Sequence, residues 1–152
     1  MIVDFRKAHN DDAVILVEAA GRALAEDERI YGSVDTQYRS ASIHQHFIEV
    51  AHYFVDASTG RVVTGACAID RGQNQYEIGI IYVDPAVQNQ GVGRQMLRYI
   101  ETQFPWVTRW YWDTGHLNYR NHHFYKTLGY HRAGTAKKEN NGYYKVIFEK
   151  II

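Results

Sequence analysis

The sequence QNQGVGR at residues 88–94 lies between an apolar segment typical of a β-strand and a periodic segment typical of an α-helix. The strand prediction covers residues 76–83 and ends at Asp84-Pro85, because proline lacks the backbone donor that a sheet ladder needs. The helix prediction begins at Gly91 and ends before Pro105, with apolar residues repeating at helical spacing. The stretch is therefore predicted to be a glycine-containing turn from a strand into a helix.

A turn of this kind is suited to binding a phosphate group. The first turn of a helix leaves N–H groups unpaired and carries the positive end of the helix dipole, so it attracts anions. Gly91 and Gly93 let an anion approach the backbone closely and allow positive φ angles. Arg94 is a weaker indication, because a cation in the first helical turn is unfavourable unless an anion offsets it. On these residues alone, an ordinary strand-to-helix turn is the alternative.

Two common phosphate-binding motifs do not fit this loop. A nucleoside triphosphate loop has Lys and then Ser or Thr directly after its last glycine, whereas Arg94 follows Gly93 in this chain. A dinucleotide-binding loop has a third glycine where Met96 stands. The loop therefore needs further evidence from other parts of the sequence.

Composition narrows the class of protein. With 152 residues, we expect a single domain over residues 1–152. Seventeen basic and seventeen acidic residues give no net charge, so no binding to nucleic acid or to an anionic membrane is expected. No apolar run approaches the roughly twenty residues that span a bilayer, and residues 1–6 have no signal-peptide pattern. Cys67, the single cysteine, is typical of a reducing, cytoplasmic interior.

The predicted elements alternate between strands and helices along the chain. A first helix is expected after Asn10-Asp11-Asp12 and runs to about Glu26, with Val14, Val17, Ala20 or Gly21, and Leu24 on its buried stripe. Residues 27–40 are expected to be mainly loop. Three antiparallel strands then precede the glycine turn, and a closing hairpin, with Asn141-Gly142 in its connection, follows a second strand–helix pair.

Three sequence motifs together resemble the GNAT superfamily of N-acetyltransferases. The family's acetyl-CoA loop has Arg or Gln, two residues, Gly, one residue, and Gly or Ala, which here are Gln88, Gly91 and Gly93. The segment at residues 76–85 resembles the family's fourth strand with its terminal Val-x-Pro. A third motif of Asn, Phe-Tyr and Gly-Tyr also resembles the family, in the residues Asn118, Phe124, Tyr125, Gly129 and Tyr130.

The resemblance implies an α+β, three-layer fold. Its central sheet would be mixed but mostly antiparallel, with about six to seven strands flanked by helices, and would open between the fourth and fifth strands. Acetyl-CoA would be the cosubstrate, with its pyrophosphate in the loop and its pantetheine arm against the opened strand. The implied contacts are Ile81, Val83, Gln88, Asn89, Gln90, Gly91, Val92, Gly93, Arg94 and Asn118.

Two residues are the catalytic candidates. Tyr125 is the expected general acid, because a neutral phenol can protonate a departing thiolate, and a half-buried core tyrosine is the alternative. Glu77 is the candidate general base, because many family members have a carboxylate at the matching place, and an ion pair or solvated position is the alternative. Tyr31 and Tyr38 are expected to lie over the acceptor pocket. Neither His44 and His46 nor His122-His123 have the spacing of a helical metal site, so no metal is predicted.

The expected reaction is direct transfer of an acetyl group from acetyl-CoA to a primary amine of a small molecule or peptide, in a ternary complex. A homodimer is also a possibility for this family. The competing hypothesis, from another class of function, is a module with this fold that binds or senses CoA, or binds a protein, and has little or no turnover. The sequence leaves the identity of the acceptor open.

Overall fold

The computed structural model describes residues 3–31, 36–58, 60–138 and 142–152. In these residues the chain forms a seven-stranded sheet in the order β1-β2-β3-β4-β5-β7-β6. The strands are β1 (Phe5–Lys7), β2 (His52–Asp56), β3 (Thr64–Asp70), β4 (Gln75–Val83), β5 (Arg109–Gly115), β6 (His131–Lys138) and β7 (Tyr144–Ile151). The α-helices are α1 (Ala13–Tyr31), α2 (Ala41–Val50), α3 (Val92–Gln103) and α4 (Tyr119–Thr127).

All strand pairs in the sheet are antiparallel except β4 and β5, which are parallel. The expected α+β fold, with a mixed and mostly antiparallel sheet flanked by helices, is confirmed. The connection between β6 and β7 includes Asn141, which lies outside the described residues. No helix among the described residues combines the length and the apolar character needed to cross a bilayer.

Two hydrophobic cores lie on opposite faces of the sheet, as expected for a sheet covered by helices on both sides. On one face α3 and α4 pack on the sheet, with Met96 and Ile100 buried against Trp110 and Phe148. The second core contains α1 and α2, and its buried residues include Leu16, Ala19, Ala20, Tyr53, Val55, Cys67 and Tyr82. The sheet is thus the middle of three layers.

The buried stripe of α1 differs from the sequence prediction. Val14 is 66% exposed, and the buried residues are Ala13, Leu16, Ala20 and Ala23, of which the prediction includes Ala20. The small alanine side chains let the helix approach the sheet closely, and the large apolar residue that faces inward is Leu16, not Val14. The helix also continues beyond Glu26 to Tyr31, into the segment predicted to be loop.

Strand β4 contains a β-bulge at Gly79. In the pairing with β3, Ile78 lies opposite Ala68 and Ile80 lies opposite Cys67, so Gly79 has no partner residue. Ile78 consequently belongs to the α3–α4 core, whereas Ile80 belongs to the α1–α2 core, although residues two apart in a regular strand share a face. A Cβ on Gly79 would lie 2.8 Å from Cδ1 of Ile69, so a larger residue there would require the end of the Ile69 side chain to shift.

Strands β4 and β5 separate after a short paired segment. Their pairing covers Gln75–Glu77 and Arg109–Tyr111, and no later β5 residue pairs with β4 in the described chain. Beyond Glu77 the backbone edge of β4 that faces β5 therefore has no strand beside it. This opening leads toward the glycine turn that follows β4.

Candidate active site

The turn from β4 into α3 is left-handed at two positions. Gly91 caps α3 with φ +80°, and Asn89 has φ +63°. Gly93 lies in the first turn of α3, where a Cβ would come within 3.2 Å of Val83 and 3.3 Å of Phe124. Gly91 thus adopts a left-handed backbone conformation that favours glycine, and Gly93 allows close packing of α3 against β4 and α4. The unpaired N–H groups of α3 open onto the space beside this turn.

A cavity of about 410 Å³ lies along the turn and the open edge of β4. Most residues expected to contact the cosubstrate line it, namely Ile81, Val83, Gln88, Asn89, Gly91, Val92, Gly93 and Arg94. Gln90 is not in the lining, and Asn118 lines a neighbouring cavity instead. The sequence motif therefore identified most of one wall of this cavity.

A smaller cavity of about 110 Å³ adjoins the larger one at the opening between β4 and β5. The residues common to both linings are Leu24, Asp27, Ile80, Ile81 and Asn121. Tyr125, Asn118 and Tyr38 line the smaller cavity. The two cavities together form a continuous cleft from the glycine turn to the far side of the sheet opening.

Tyr125 lies at the inner end of the smaller cavity. Its ring packs on Trp112, with the two ring centroids 3.7 Å apart, and Tyr125 is only 3% exposed. Burial raises the pKa of Tyr125, although a hydrogen bond with Thr114 partly opposes this effect. The phenol is therefore protonated throughout the physiological pH range, and it can donate a proton to a group in the cavity.

Two asparagines organise the start of α4 beside this phenol. Asn118 is the N-cap, and its side-chain oxygen accepts from the N–H of Asn121 at 3.2 Å. The Asn121 side-chain amide donates in turn to Oγ1 of Thr114 at 3.3 Å. Asn118 therefore has a structural role as a helix cap in addition to its place in the cavity lining.

Glu77 lies apart from both cavities. Its Oε2 accepts from Nε of Arg71 at 2.8 Å, and Glu77 is absent from the two linings. It belongs to the part of β4 that is still paired with β5, opposite Tyr111. The structure thus does not place the candidate base next to Tyr125.

Arg94 and Gln88 both have protein partners in the larger cavity. Arg94 donates through Nη2 to Oγ1 of Thr127 at 2.8 Å, near the carboxyl end of α4, so a bound anion is not the sole explanation for its charge. Gln88 donates through Nε2 to the carbonyl of Val83 at 3.3 Å, and its Oε1 accepts from Arg120 at 3.1 Å. Gln88 therefore joins the turn to the end of β4 and to α4.

An ion pair that the sequence analysis missed spans the cleft. Nη2 of Arg120, in α4, donates to Oδ1 of Asp27, in α1, at 2.6 Å. Burial raises the pKa of Asp27, whereas the guanidinium of Arg120 lowers it, and the net shift is upward. The available signal was the spacing 13, 16, 20, 23 and 27, which places Asp27 on the buried stripe of α1.

A buried hydrogen-bond network holds the segment at residues 36–39 against the cleft. Nε2 of His44 lies 2.6 Å from the carbonyl of Tyr38, which can only accept, so Nε2 carries the proton. Nδ1 of His44 then accepts from Tyr53, whose hydroxyl lies 2.9 Å from that of Tyr82. The hydroxyl of Tyr38 donates to the carbonyl of Gly79 at the bulge. Tyr38 thus lies at the smaller cavity, while the side chain of Tyr31 is outside the described part.

No group of three or more His, Cys, Asp or Glu side chains suited to a metal ion occurs among the described residues.

Comparison with known proteins gives four matches that agree in family. The chain is 27% identical over 135 residues to the N-alpha-acetyltransferase RimI of Mycobacterium tuberculosis, covering 86% of this chain and 82% of that protein. Its fold is similar to that of PaiA N-acetyltransferase from Thermoplasma acidophilum in complex with coenzyme A, with a TM-score of 0.84, 14% identity and full coverage of both chains.

The other two matches are a second solved structure and the profile of the family itself. The fold is also similar to that of the ribosomal-protein-S18-alanine N-acetyltransferase from Escherichia coli, with a TM-score of 0.79, 17% identity, and coverage of 99% and 94% of the two chains. The profile of the Acetyltransferase (GNAT) domain matches residues 49–132, which is more than half of the chain. The motifs, the opened sheet and these matches agree, and the chain belongs to the GNAT family of acetyltransferases.

Proposed function

We propose that this protein transfers an acetyl group from acetyl-CoA to a primary amine, by direct attack of the amine in a ternary complex. The observation that carries the proposal is that Tyr125 lines the smaller cavity, which adjoins the cavity along the glycine turn. A phenol that is protonated at neutral pH can supply a proton to the thiolate that leaves when the thioester is cleaved, although burial makes this phenol a weaker acid than an exposed one. The larger cavity would hold the donor, and the smaller cavity would receive the amine.

The residues of the larger cavity fit coenzyme A. The left-handed turn at Gly91 and the free N–H groups of α3 suit a pyrophosphate. The open edge of β4, which includes Ile81 and Val83, suits amide groups that pair with it as an added strand does. Acetyl-CoA would supply the acetyl group as a thioester, and the protein would hold it in place through these contacts.

Direct transfer is supported by the environment of the cysteine. Cys67 is buried in β3, outside both cavity linings, and burial raises the pKa of its thiol to about 12. The reactive form of a cysteine is the thiolate, which is scarce at neutral pH in such a site. A covalent acetyl-cysteine intermediate is therefore not part of the proposal.

The amine must lose a proton before it attacks, because a typical aliphatic amine is protonated at neutral pH. Glu77 stays our hypothesis for the group that receives this proton. Since Glu77 pairs with Arg71 outside the cavity linings, its participation requires a water relay.

We further propose the α-amino group of a peptide as the acceptor class. The relative from Mycobacterium tuberculosis is an N-alpha-acetyltransferase, and it aligns over 86% of this chain. Small-molecule amines are the alternative within the same reaction. The cytoplasmic setting and the homodimer expected from the sequence remain predictions.

Tyr125→Phe tests the function. An enzyme should lose turnover about 10²- to 10⁴-fold, the usual contribution of a general acid, while its Kd for CoA changes little. Tyr119→Phe is the matched control, since Tyr119 lies on the same helix but is 64% exposed. Glu77→Gln should lower the rate only if the relay through this carboxylate operates. A wild-type protein that binds CoA but acetylates no amine would instead favour the sensing module.

Initial-rate kinetics test the order of events. Direct attack in a ternary complex predicts intersecting double-reciprocal plots when both substrates are varied. Parallel plots, or an acetylated enzyme trapped in the absence of an amine, would contradict direct transfer.

A further inference from the structure

Asp27 is a carboxylate in an unusual position for a helix that packs on a sheet. It continues the inward stripe formed by Ala13, Leu16, Ala20 and Ala23, where an apolar residue is expected. Its side chain is 21% exposed and lines both cavities. Buried carboxylates are costly without a compensating partner, so this position calls for a cation.

In the present structure that cation is Arg120. Nη2 of Arg120 lies 2.6 Å from Oδ1 of Asp27, and Nη1 donates to Oε1 of Gln88. Arg120 lines the larger cavity only, whereas Asp27 also lines the smaller one. One guanidinium therefore contacts both the carboxylate at the junction and the turn at which a pyrophosphate would bind.

The carboxylate of Asp27 is also close to the expected reaction centre. Its negative charge contributes to the raised pKa of Tyr125. A cation bound to Asp27 would thus lie close enough to Tyr125, the proposed proton donor, to interact with it electrostatically. Asp113 acts on Tyr125 in the same way and lines the smaller cavity, but its side chain is 41% exposed and pairs with Lys145 at 3.7 Å.

We propose that Asp27 binds the ammonium group of the acceptor, and that Arg120 occupies Asp27 until the donor's phosphates attract the guanidinium. This inference rests on the proposed function, because it assigns the acceptor contact in the same cleft. Arg120 already contacts Gln88 in the donor turn, so only a short displacement separates its two partners. A guanidinium pairs well with either a carboxylate or a phosphate, which makes the exchange chemically reasonable.

If this exchange occurs, substitutions of Asp27 and Arg120 should have different effects, although the two residues form one ion pair. Loss of the Asp27 charge should weaken acceptor binding and leave CoA binding unchanged or tighter, because Arg120 is released toward the phosphates. Loss of the Arg120 charge should weaken CoA binding and spare the acceptor. A purely structural bridge between α1 and α4 predicts instead that both substitutions have the same effect.

The experiment compares Asp27→Asn and Arg120→Met with the matched controls Glu26→Gln and Arg29→Met. The control residues form a neighbouring ion pair on α1, outside both cavity linings. The probes are CoA, a hexapeptide with a free N-terminal alanine, and n-butylamine. Titration calorimetry gives the Kd of CoA and the Kd of each amine for the CoA-loaded protein, and acetylation assays give KM and kcat.

We expect Asp27→Asn to raise the Kd and KM of the amine about ten- to hundredfold, which is the equivalent of one charge-assisted hydrogen bond. The affinity for CoA should not decrease in this variant. We expect Arg120→Met to raise the Kd of CoA about tenfold. Equal effects of the two variants on both ligands would overturn the inference, as would the absence of saturable amine binding to the CoA-loaded wild type. Amine binding without turnover would refute the proposed function alone.

Discussion

Replacement of Gly91 by alanine should destabilise the protein by about 1 kcal/mol through the backbone alone. Gly91 has φ +80°, and a left-handed conformation costs a non-glycine residue about 1–2 kcal/mol. Alanine also reduces the entropy of the unfolded chain, which offsets about 0.4–1 kcal/mol of this cost. Steric overlap adds nothing, because the closest atom to the new Cβ would be Nε2 of Gln95 at 3.9 Å.

The same substitution at Gly21 should have the opposite sign. Gly21 lies in the interior of α1 with no atom within 4 Å of a built Cβ, and alanine is favoured over glycine in a helix by about 0.8–1 kcal/mol. Gly91→Asn should cost less than Gly91→Ala, since asparagine tolerates the left-handed region.

Urea unfolding of the three variants and the wild type, with the m-value checked for constancy, measures these differences. The reasoning fails if Gly91→Ala is as stable as the wild type, or if asparagine at this position is worse than alanine. In either case, the turn does not need the left-handed backbone that underlies the proposed pyrophosphate site.

Two further predictions concern pH. Burial lowers the pKa of His44 below the value of about 6.5 in the unfolded chain, so its contribution to stability is complete above that pH and declines as the pH falls, by up to about 1.4 kcal/mol per unit. The difference in unfolding free energy between wild type and His44→Gln should therefore be smaller at pH 5.5 than at pH 7.5, and a constant difference would contradict this. Burial raises the pKa of Asp84, but hydrogen bonds from Ala86 and Arg22 lower it overall. Asp84→Asn should cost about 2 kcal/mol at pH 7, and the loss should begin to shrink as the pH falls below the normal carboxyl pKa of about 4; urea unfolding at pH 7 and pH 3 tests this, and a loss as large at pH 3 as at pH 7 would be the contrary result.

The donor side of the site was predictable because its determinants are contiguous in sequence. The strand, the proline that ends it, the glycine turn and the helix follow one another within residues 76–104, and each has a local signal. Helix α4 also has local signals at its ends, since Asn118 caps its start and the left-handed Gly129 follows its end. The conformation of the turn is set mostly by these neighbours, so little tertiary information was needed.

The errors arose where tertiary packing decides the outcome. The apolar pattern of α1 favoured Val14 over the alanines, because hydrophobicity alone does not show that the helix lies close to the sheet. The bulge in β4 had a local signal, a glycine within a strand pattern, but the register shift that defines it lies in the pairing with β3, a separate strand. The role of general base was assigned to Glu77 from the resemblance and stays a prediction, and the ion pair of Glu77 with Arg71, which depends on the turn between β3 and β4, had no local signal.

The acceptor side was the least predictable part, and its construction explains why. The smaller cavity takes its walls from α1, the segment at residues 36–39, β4, β5, α4 and the start of β7. Asp27 and Arg120 are 93 positions apart in sequence, and Tyr38 is 41 positions from the carbonyl that it binds. No periodicity or short motif connects residues at such separations. Under the proposed function, donor recognition is local in sequence and acceptor recognition is assembled from distant segments, so we expect substitutions at Asp27 or Tyr38 to change the acceptor without disturbing the glycine turn. Acceptor specificity can therefore differ among proteins that share this donor site.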